Sequence, residues 1–204
     1  MLAVFSASFW PAAPKEWSQT AAKTMVLDDG LWRSLSTLES PAQMGFVIEL
    51  PATAAIAPKR ASVILDRVQD AGNVGSILRS ASAFGFGQVI ALKGTAALWS
   101  PKVIRAGMGA HFGLSLIEGA ELADLDALEI PLLVTSSHQG EFVHQAELPM
   151  PCSWALGHEG QGVCAELIQR ASLSICIGQP GGEESLNVAA AAAICLHASA
   201  SDAS

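Results

Sequence analysis

No Cys-x-x-Cys pair occurs in this chain, and its four cysteines (Cys152, Cys164, Cys176 and Cys195) sit in apolar surroundings. That argues against a disulfide framework or a zinc site; reduced core thiols fit better, and they point to the cytoplasm. Long apolar runs are missing too. The longest, Val188–Leu196, falls well short of the ~20 residues needed to span a bilayer. The N-terminus lacks the basic start of a signal peptide, and Pro11 and Pro14 interrupt its apolar character. Charged residues are scarce at 15%, against 50% apolar, which excludes a disordered chain. No internal repeat is visible, and no low-complexity segment beyond Ser199–Ser204. What remains is 204 residues, enough for one ordinary domain with a real core plus an appendage.

The net charge of −8 speaks at first against a nucleic-acid partner, because phosphate contacts need cations. Its distribution reverses that reading. Between Lys59 and Arg105 lie seven Lys or Arg and only two acids, Asp66 and Asp70, so a cationic block sits on an acidic body. Such a block can be ordinary solvated charge or a local phosphate-facing surface. Arg67, Lys102 and Arg105 are its candidate nucleic-acid contacts.

Pro51–Arg60 has linker composition, which divides a short appendage (residues 1–55) from the main domain (56–204). The appendage shows one possible strand near Gly45–Leu50. Beyond the linker, short apolar strands alternate with helical patterns. Strands are expected at Ser62–Leu65, Gln88–Leu92, Leu114–Ile117, Leu132–Thr135, Ser153–Leu156 and Leu173–Ile177. Helices are expected at Asn73–Phe84, Pro101–Ala110, Leu122–Leu128, Val163–Arg170 and Ser185–Ala198. This alternation predicts an α/β domain with a mostly parallel sheet and flanking helices. The last helix is apolar most of the way round, so it is expected to be buried.

Three polar segments each follow a predicted strand, where parallel sheets place their ligands. The first runs from Leu65 to Arg79, with Asn73 placed as a helix cap and Arg79 further along. The second, Ala155-Leu-Gly-His-Glu-Gly-Gln-Gly162, is a glycine-rich turn that can admit a ligand or simply reverse the chain. Its Glu159, near a buried strand end, needs a cation or hydrogen-bond donors. The third, Gly178–Val188, opens the last helix, where Ser185 can act as cap and Glu183 and Glu184 favour the dipole. An oxidoreductase reading fails because no G-x-G-x-x-G follows the first strand.

Taken together, in this order and spacing, the three segments resemble the signature motifs of the SpoU (TrmH) family of RNA 2′-O-ribose methyltransferases, over residues 60–200. Asp70, Asn73, Gly75 and Arg79 match the first motif, and Gly157, Glu159, Gly160 and Gly162 the second. Ser185–Val188 match the third, and Trp99–Phe112 is similar to a stretch shared by bacterial members. The resemblance implies a SPOUT fold with a C-terminal trefoil knot, a homodimer, and S-adenosyl-L-methionine as cofactor. It marks Arg79 as catalytic, with Asn73, Glu159, Ser185 and Asn187 fixing Arg79 and the ribose. Leu156, Gly157, Gly160, Ile177, Gln179, Pro180 and Leu186 are the expected cofactor contacts. The implied partner is RNA, ribosomal RNA first and transfer RNA as the alternative, with no metal and no membrane. A catalytically weak RNA-binding or assembly protein on the same fold is the competing reading.

Three positions depart from the family pattern: Ala71 and Gly178 stand where prolines are common, and His158 where a small polar residue is frequent. Gly178 is expected to loosen the cofactor loop. Residues 1–50 can supply only the later portion of the RNA-binding domain that two-domain relatives carry, and Val26–Ser40 resembles its end.

Overall fold

The computed structural model describes residues 1–202 apart from 37, 53, 137–139 and 182–184, and divides into two units, Met1–Ala52 and Thr53–Ser204. Glu183 and Glu184, expected to favour a helix dipole, lie outside the described residues.

The first unit is a three-stranded sheet of β1 (Leu2–Ser6), β2 (Lys23–Leu27) and β3 (Met44–Val47) in the order β2-β1-β3. β1 pairs parallel with β2 and antiparallel with β3. Its helices are α1 (Lys15–Gln19) and α2 (Asp29–Ser34). Asp28 caps α2 by accepting from the Gly30 and Leu31 amides at 2.9 and 3.0 Å. Only β3 corresponds to an element expected from sequence. β1 and β2 pair across some twenty intervening residues, and β2 is an edge strand whose residues are largely exposed, so neither shows a clean alternation.

The second unit is built on seven parallel strands in the order β6-β5-β4-β9-β7-β10-β8. They are β4 (Ser62–Asp66), β5 (Gln88–Leu92), β6 (Ser115–Ala120), β7 (Leu132–Ser136), β8 (Glu141–Phe142), β9 (Ser153–Gly157) and β10 (Leu173–Cys176). β4, β5 and β9 are buried along their whole length, as continuous apolar runs in a doubly covered parallel sheet should be. Alternate side chains feed two cores. Val63, Leu65, Trp154 and Leu156 pack with helices α3 (Ala71–Ala83) and α6 (Val188–Asp202), while Ile64, Ile90, Val134 and Ala155 face Leu167 of α5 (Ala165–Arg170). Between them in sequence, α4 (Pro101–Gly107) packs across α3. Gly75 makes this crossing possible: a Cβ there would lie 2.3 Å from Ala106 Cβ and 2.7 Å from the Gly107 amide nitrogen.

Several expectations need correction. α4 ends at Gly107 because Met108 takes a left-handed conformation, and a short 3-10 turn, Ala110–Gly113, follows. Leu122–Ala127 is 3-10 helix rather than α-helix. The last helix starts at Val188, not Ser185. Nor is it buried all round. Ala192, Cys195, Leu196 and Ser199 form its buried stripe, with Ser199 accepting from the Trp154 indole at 2.9 Å, while Ala190, Ile194 and His197 are exposed. Its near-uniform apolarity carries no stripe from which the buried side could be read.

Candidate active site

The strand order reverses between β4 and β9, whose C-terminal residues Asp66 and Gly157 are paired in register. At such a switch point the loops after the two strands diverge and leave a crevice. The loop after β4 leads into α3 and the loop after β9 leads into α5, so the first and second motifs meet here.

Two clasps hold these loops together. In the first, Glu159 Oε1 accepts from the Asp70 amide at 3.2 Å and from Asn73 Nδ2 at 3.1 Å, while Oε2 accepts from the Gln69 amide at 3.3 Å. Partial burial pushes the Glu159 carboxyl upward, but donation from Asn73 and the backbone amides outweighs it, so it sits below its ordinary value. The donors that Glu159 requires are therefore supplied by the first motif.

In the second clasp, Asp66 is 2% exposed and accepts from the Cys164 amide at 2.7 Å and from Arg67 Nε at 2.8 Å. Burial again opposes its ionisation, and the Arg67 guanidinium and Cys164 amide more than offset this, holding the carboxyl low. Arg67 Nη1 continues to Gln161 Oε1 at 2.9 Å, and the Arg67 backbone is left-handed, with φ 58°. Asp66 and Gln161 escaped the sequence reading. The signal was present in Ser62-Val-Ile-Leu-Asp66, a carboxylate closing a fully apolar run, which must find donors once buried.

The glycines of the second motif make a tight turn in which His158 and Gly162 exchange backbone hydrogen bonds of 3.1 and 2.8 Å. A Cβ on Gly157 would come within 2.1 Å of the Gly162 carbonyl carbon and the Val163 nitrogen, so only glycine fits there.

The cap of α3 is Asp70, whose Oδ1 accepts from the Asn73 amide at 2.7 Å, and not Asn73 as the sequence suggested. Both are cap-forming residue types, and the helix begins one turn earlier than its apolar pattern. This frees the Asn73 side chain to act as a bridge. Its Oδ1 accepts from Asn187 Nδ2 at 3.0 Å, and Asn187 Oδ1 accepts from the Ala189 and Ala190 amides at 2.9 and 3.3 Å. Asn187, rather than Ser185, therefore caps α6. A continuous chain runs from the α6 N-terminus through Asn187 and Asn73 to the Glu159 carboxylate, each donor aligned toward the negative end.

Asn73, Glu159 and Asn187 are thus brought into one network. Ser185 and Arg79 are not: both are exposed, and neither side chain makes a hydrogen bond or ion pair among the described residues. Arg79 lies six residues beyond Asn73 on α3, about 9 Å along the axis and on a different face. Leu156 and Gly157 are buried at the end of β9, Gly160 and Pro180 are exposed, Ile177 is half-buried and Leu186 is 40% exposed. Gln179 carries a buried Oε1 with no hydrogen-bond partner among the described residues. Lys102 and Arg105 are exposed on α4. A separate cavity of about 510 Å³ opens beside Asp66, Arg67, Lys93, Glu121, Cys164 and Glu166; none of the expected cofactor contacts lines it. No cluster of metal-ligating side chains occurs among the described residues, and no described helix is long and apolar enough to cross a membrane.

Residues 60–197 match the model of the SpoU rRNA methylase family. The chain is 31% identical over 184 residues to the 23S rRNA (guanosine(2553)-2′-O)-methyltransferase RlmP of Bacillus subtilis, an alignment covering 88% of this chain and 73% of that protein. It superimposes on a TrmH-family protein from Porphyromonas gingivalis with a TM-score of 0.81 and 31% identity, covering 97% of this chain and 81% of the other. The fold is also shared with the SpoU methyltransferase AviRb of Streptomyces viridochromogenes, solved with AdoMet, at a TM-score of 0.84, 24% identity, and 98% and 82% coverage. With its motifs gathered at the switch point of a parallel sheet, the chain belongs to the SpoU rRNA methylase family.

Proposed function

We propose that this protein transfers a methyl group from S-adenosyl-L-methionine to a ribose 2′-hydroxyl of RNA, in ribosomal RNA before transfer RNA. The observation that carries the reading is the Asn187–Asn73–Glu159 chain, which ties all three motifs together at one crevice. The relative's named activity, 2′-O-methylation of 23S rRNA, favours an enzyme over an RNA-binding or assembly protein without turnover.

The cofactor residues present fit an adenosyl group. The orphaned Gln179 Oε1 is a buried acceptor suited to an exocyclic amine or a ribose hydroxyl. Gly157 closes β9 and Ile177 follows β10, with only β7 between, so they are two strand spacings apart, about 10 Å. The backbone at Leu156, Gly157 and Gly160 and the residues Ile177, Gln179, Pro180 and Leu186 would hold the group. When bound, it supplies the electrophilic methyl carbon.

The chain's own residues then position the hydroxyl and ease loss of its proton. A guanidinium is a permanent cation and a poor base, so the role assigned to Arg79 is to orient a phosphate and stabilise the developing alkoxide rather than to remove the proton. The Ser185 hydroxyl, exposed and without a hydrogen-bond partner among the described residues, is assigned to the ribose. Glu159, ionised and held by three donors, anchors Asn73 in place. Arg67, Lys102 and Arg105 are assigned to the RNA backbone, Arg67 with part of its guanidinium already given to Asp66 and Gln161.

The same proposal includes a trefoil knot, a homodimer and a cytoplasmic location. The return of the chain from β10, beyond β7, to α6 against α3 and β9 supports the knot. The exposed stripe of Ala190 and Ile194 on α6 supports a second copy. The N-terminal unit, residues 1–55 in the sequence division, is assigned to substrate RNA. Mapping ribose methylation across total RNA from cells with and without the protein tests the function. One or more 2′-O-methyl sites should disappear with the protein, and identical maps would remove the reading.

A further inference from the structure

The turn after α4 exposes large apolar side chains at the edge of the proposed site. Met108 is 76% exposed and Phe112 79%, with Ile104 one turn before Met108 at 43%. Burial does not account for them, and the turn is not loose. Met108 is held left-handed at φ 46° and Gly109 follows at φ 89°, a conformation that is costly for a residue with a Cβ. Between the two exposed side chains, His111 is 4% exposed, donates from Nε2 to the Leu98 carbonyl at 2.8 Å, and packs on Trp99 with ring centroids 5.1 Å apart. A buried anchor therefore fixes the turn while its neighbours on either side point to solvent.

Two further observations give the surface a partner. From residue 71 to residue 117 there is no Asp or Glu, while Arg79, Lys93, Lys102 and Arg105 all fall in that stretch. Lys102 and Arg105 are exposed on the helix that leads into the turn. The turn also lies against the Arg79 side of α3. Gly75, Arg79 and Ser82 fall on one face of that helix by their spacing. Gly75 abuts Ala106 and Gly107, and a Cβ on Gly113 would lie 3.6 Å from Ser82 Oγ, so Arg79 stands between a contact with the end of α4 and a contact with the turn that follows it.

We propose that Met108 and Phe112, flanked by Arg79, Lys102 and Arg105, form a platform on which an unpaired nucleobase of the RNA stacks beside the ribose to be methylated. An exposed aromatic face with cations on the adjoining helices suits a single strand, whose bases offer π-faces and whose phosphates need positive partners. The inference rests on the RNA methyltransferase reading. It goes beyond it by locating the flanking nucleotide.

The test uses the full chain, a fluorescently labelled short single-stranded RNA and no cofactor. Phe112→Leu keeps an apolar side chain but loses the π-face, and should weaken binding about fivefold or more, as loss of a stacked base does. Phe112→Trp should bind as the parent does. Met108→Gly, whose backbone suits the left-handed turn, should unfold no more easily than the parent yet bind RNA more weakly. Sedimentation should show no change of oligomeric state in any of the three. RNA binding by Phe112→Leu equal to the parent's would overturn the platform. So would a change of sedimenting mass in Phe112→Leu, which would assign the face to a second copy of the chain. Calorimetry with S-adenosyl-L-methionine separates the two readings: if the parent does not bind it while Phe112→Leu still loses RNA, the platform stands and the cofactor assignment fails.

Discussion

The crevice between β4 and β9 and the Arg79 side of α3, which the proposed function assigns to one site, handle polar groups in opposite ways. In the crevice nearly every polar side chain is partnered: Asp66 by Cys164 and Arg67, Glu159 by Gln69, Asp70 and Asn73, Asn73 by Asn187. Along the outer side of α3 and α4, Arg79, Lys102 and Arg105 are exposed, and Phe112 and Met108 project into solvent. A satisfied network resists movement and defines a shape. Exposed cations and apolar side chains with no partner among the described residues can meet something else. Substitutions in the crevice should therefore cost stability, and those on the outer side should cost substrate handling at little cost in stability.

The largest stability effect is expected at Gly157. Its added methyl would meet backbone atoms at 2.1 Å, which cannot swing aside as a side chain can. Gly157→Ala should lose about 3 kcal/mol or more, at the upper end of overpacking costs, measured by urea unfolding. A loss under about 1 kcal/mol would mean that the turn relaxes and is not held as described.

Asn73→Ala comes next. It removes a bond to a carboxylate and a bond to Asn187, so a loss of about 1–3 kcal/mol is expected. The double variant with Asn187→Ala should lose less than the sum of the two singles. Additive losses would show that the chain from α6 to Glu159 is not cooperative.

Acid should separate the two regions by a smaller margin. The folded-state values of Asp66 and Glu159 lie below their ordinary ones, so the stability they contribute is present above those ordinary values and is lost as pH falls through the folded ones. The Tm of the parent should drop on acidification below about pH 5, and Asp66→Asn should flatten the drop. An equal decline in both would remove Asp66 as an acid-sensitive clasp. Burial pushes the Cys195 thiol to about 12 and Cys152 to about 11, so neither should react with thiol reagents in the native state at neutral pH.

The smallest effect is expected at Gly178. Its backbone is outside the left-handed region, and a Cβ there would make an ordinary 3.8 Å contact with the Phe142 ring. Gly178→Ala should therefore stabilise by about 0.4–1 kcal/mol through the unfolded chain. Destabilisation would show that the loop needs glycine for a reason its contacts do not reveal.

What could be read from sequence follows the same physical division. β4, β5 and β9 are apolar along their length and buried on both faces, so composition alone located them. β8 has two residues and β1 and β2 depend on pairing between distant segments, so no local pattern marked them. In the site, Asn73, Glu159 and Asn187 stood out because each is a polar group where the chain is otherwise apolar or glycine-rich. Their partners did not. Asp70 and Asn73 are equally good caps, and only the start of the helix decides between them. The Asp66–Arg67–Gln161 clasp joins positions nearly a hundred residues apart, a distance that no motif spacing reports. The exposed stripe of α6 was hidden by its own uniformity.

The central claim is that Arg79, exposed at the edge of the network, serves methyl transfer to a ribose. The direct measurement is incorporation of labelled methyl from S-adenosyl-L-methionine into 23S ribosomal RNA by the parent and by Arg79→Ala, with cofactor affinity and Tm measured alongside. The expected result is a labelled 2′-O-methyl nucleoside from the parent and a loss of about a hundredfold or more in Arg79→Ala, the scale of a lost transition-state donor. Cofactor affinity and Tm should be nearly unchanged in the variant. Equal incorporation by the two proteins, or a parent that binds both RNA and cofactor without transferring the label, would contradict it.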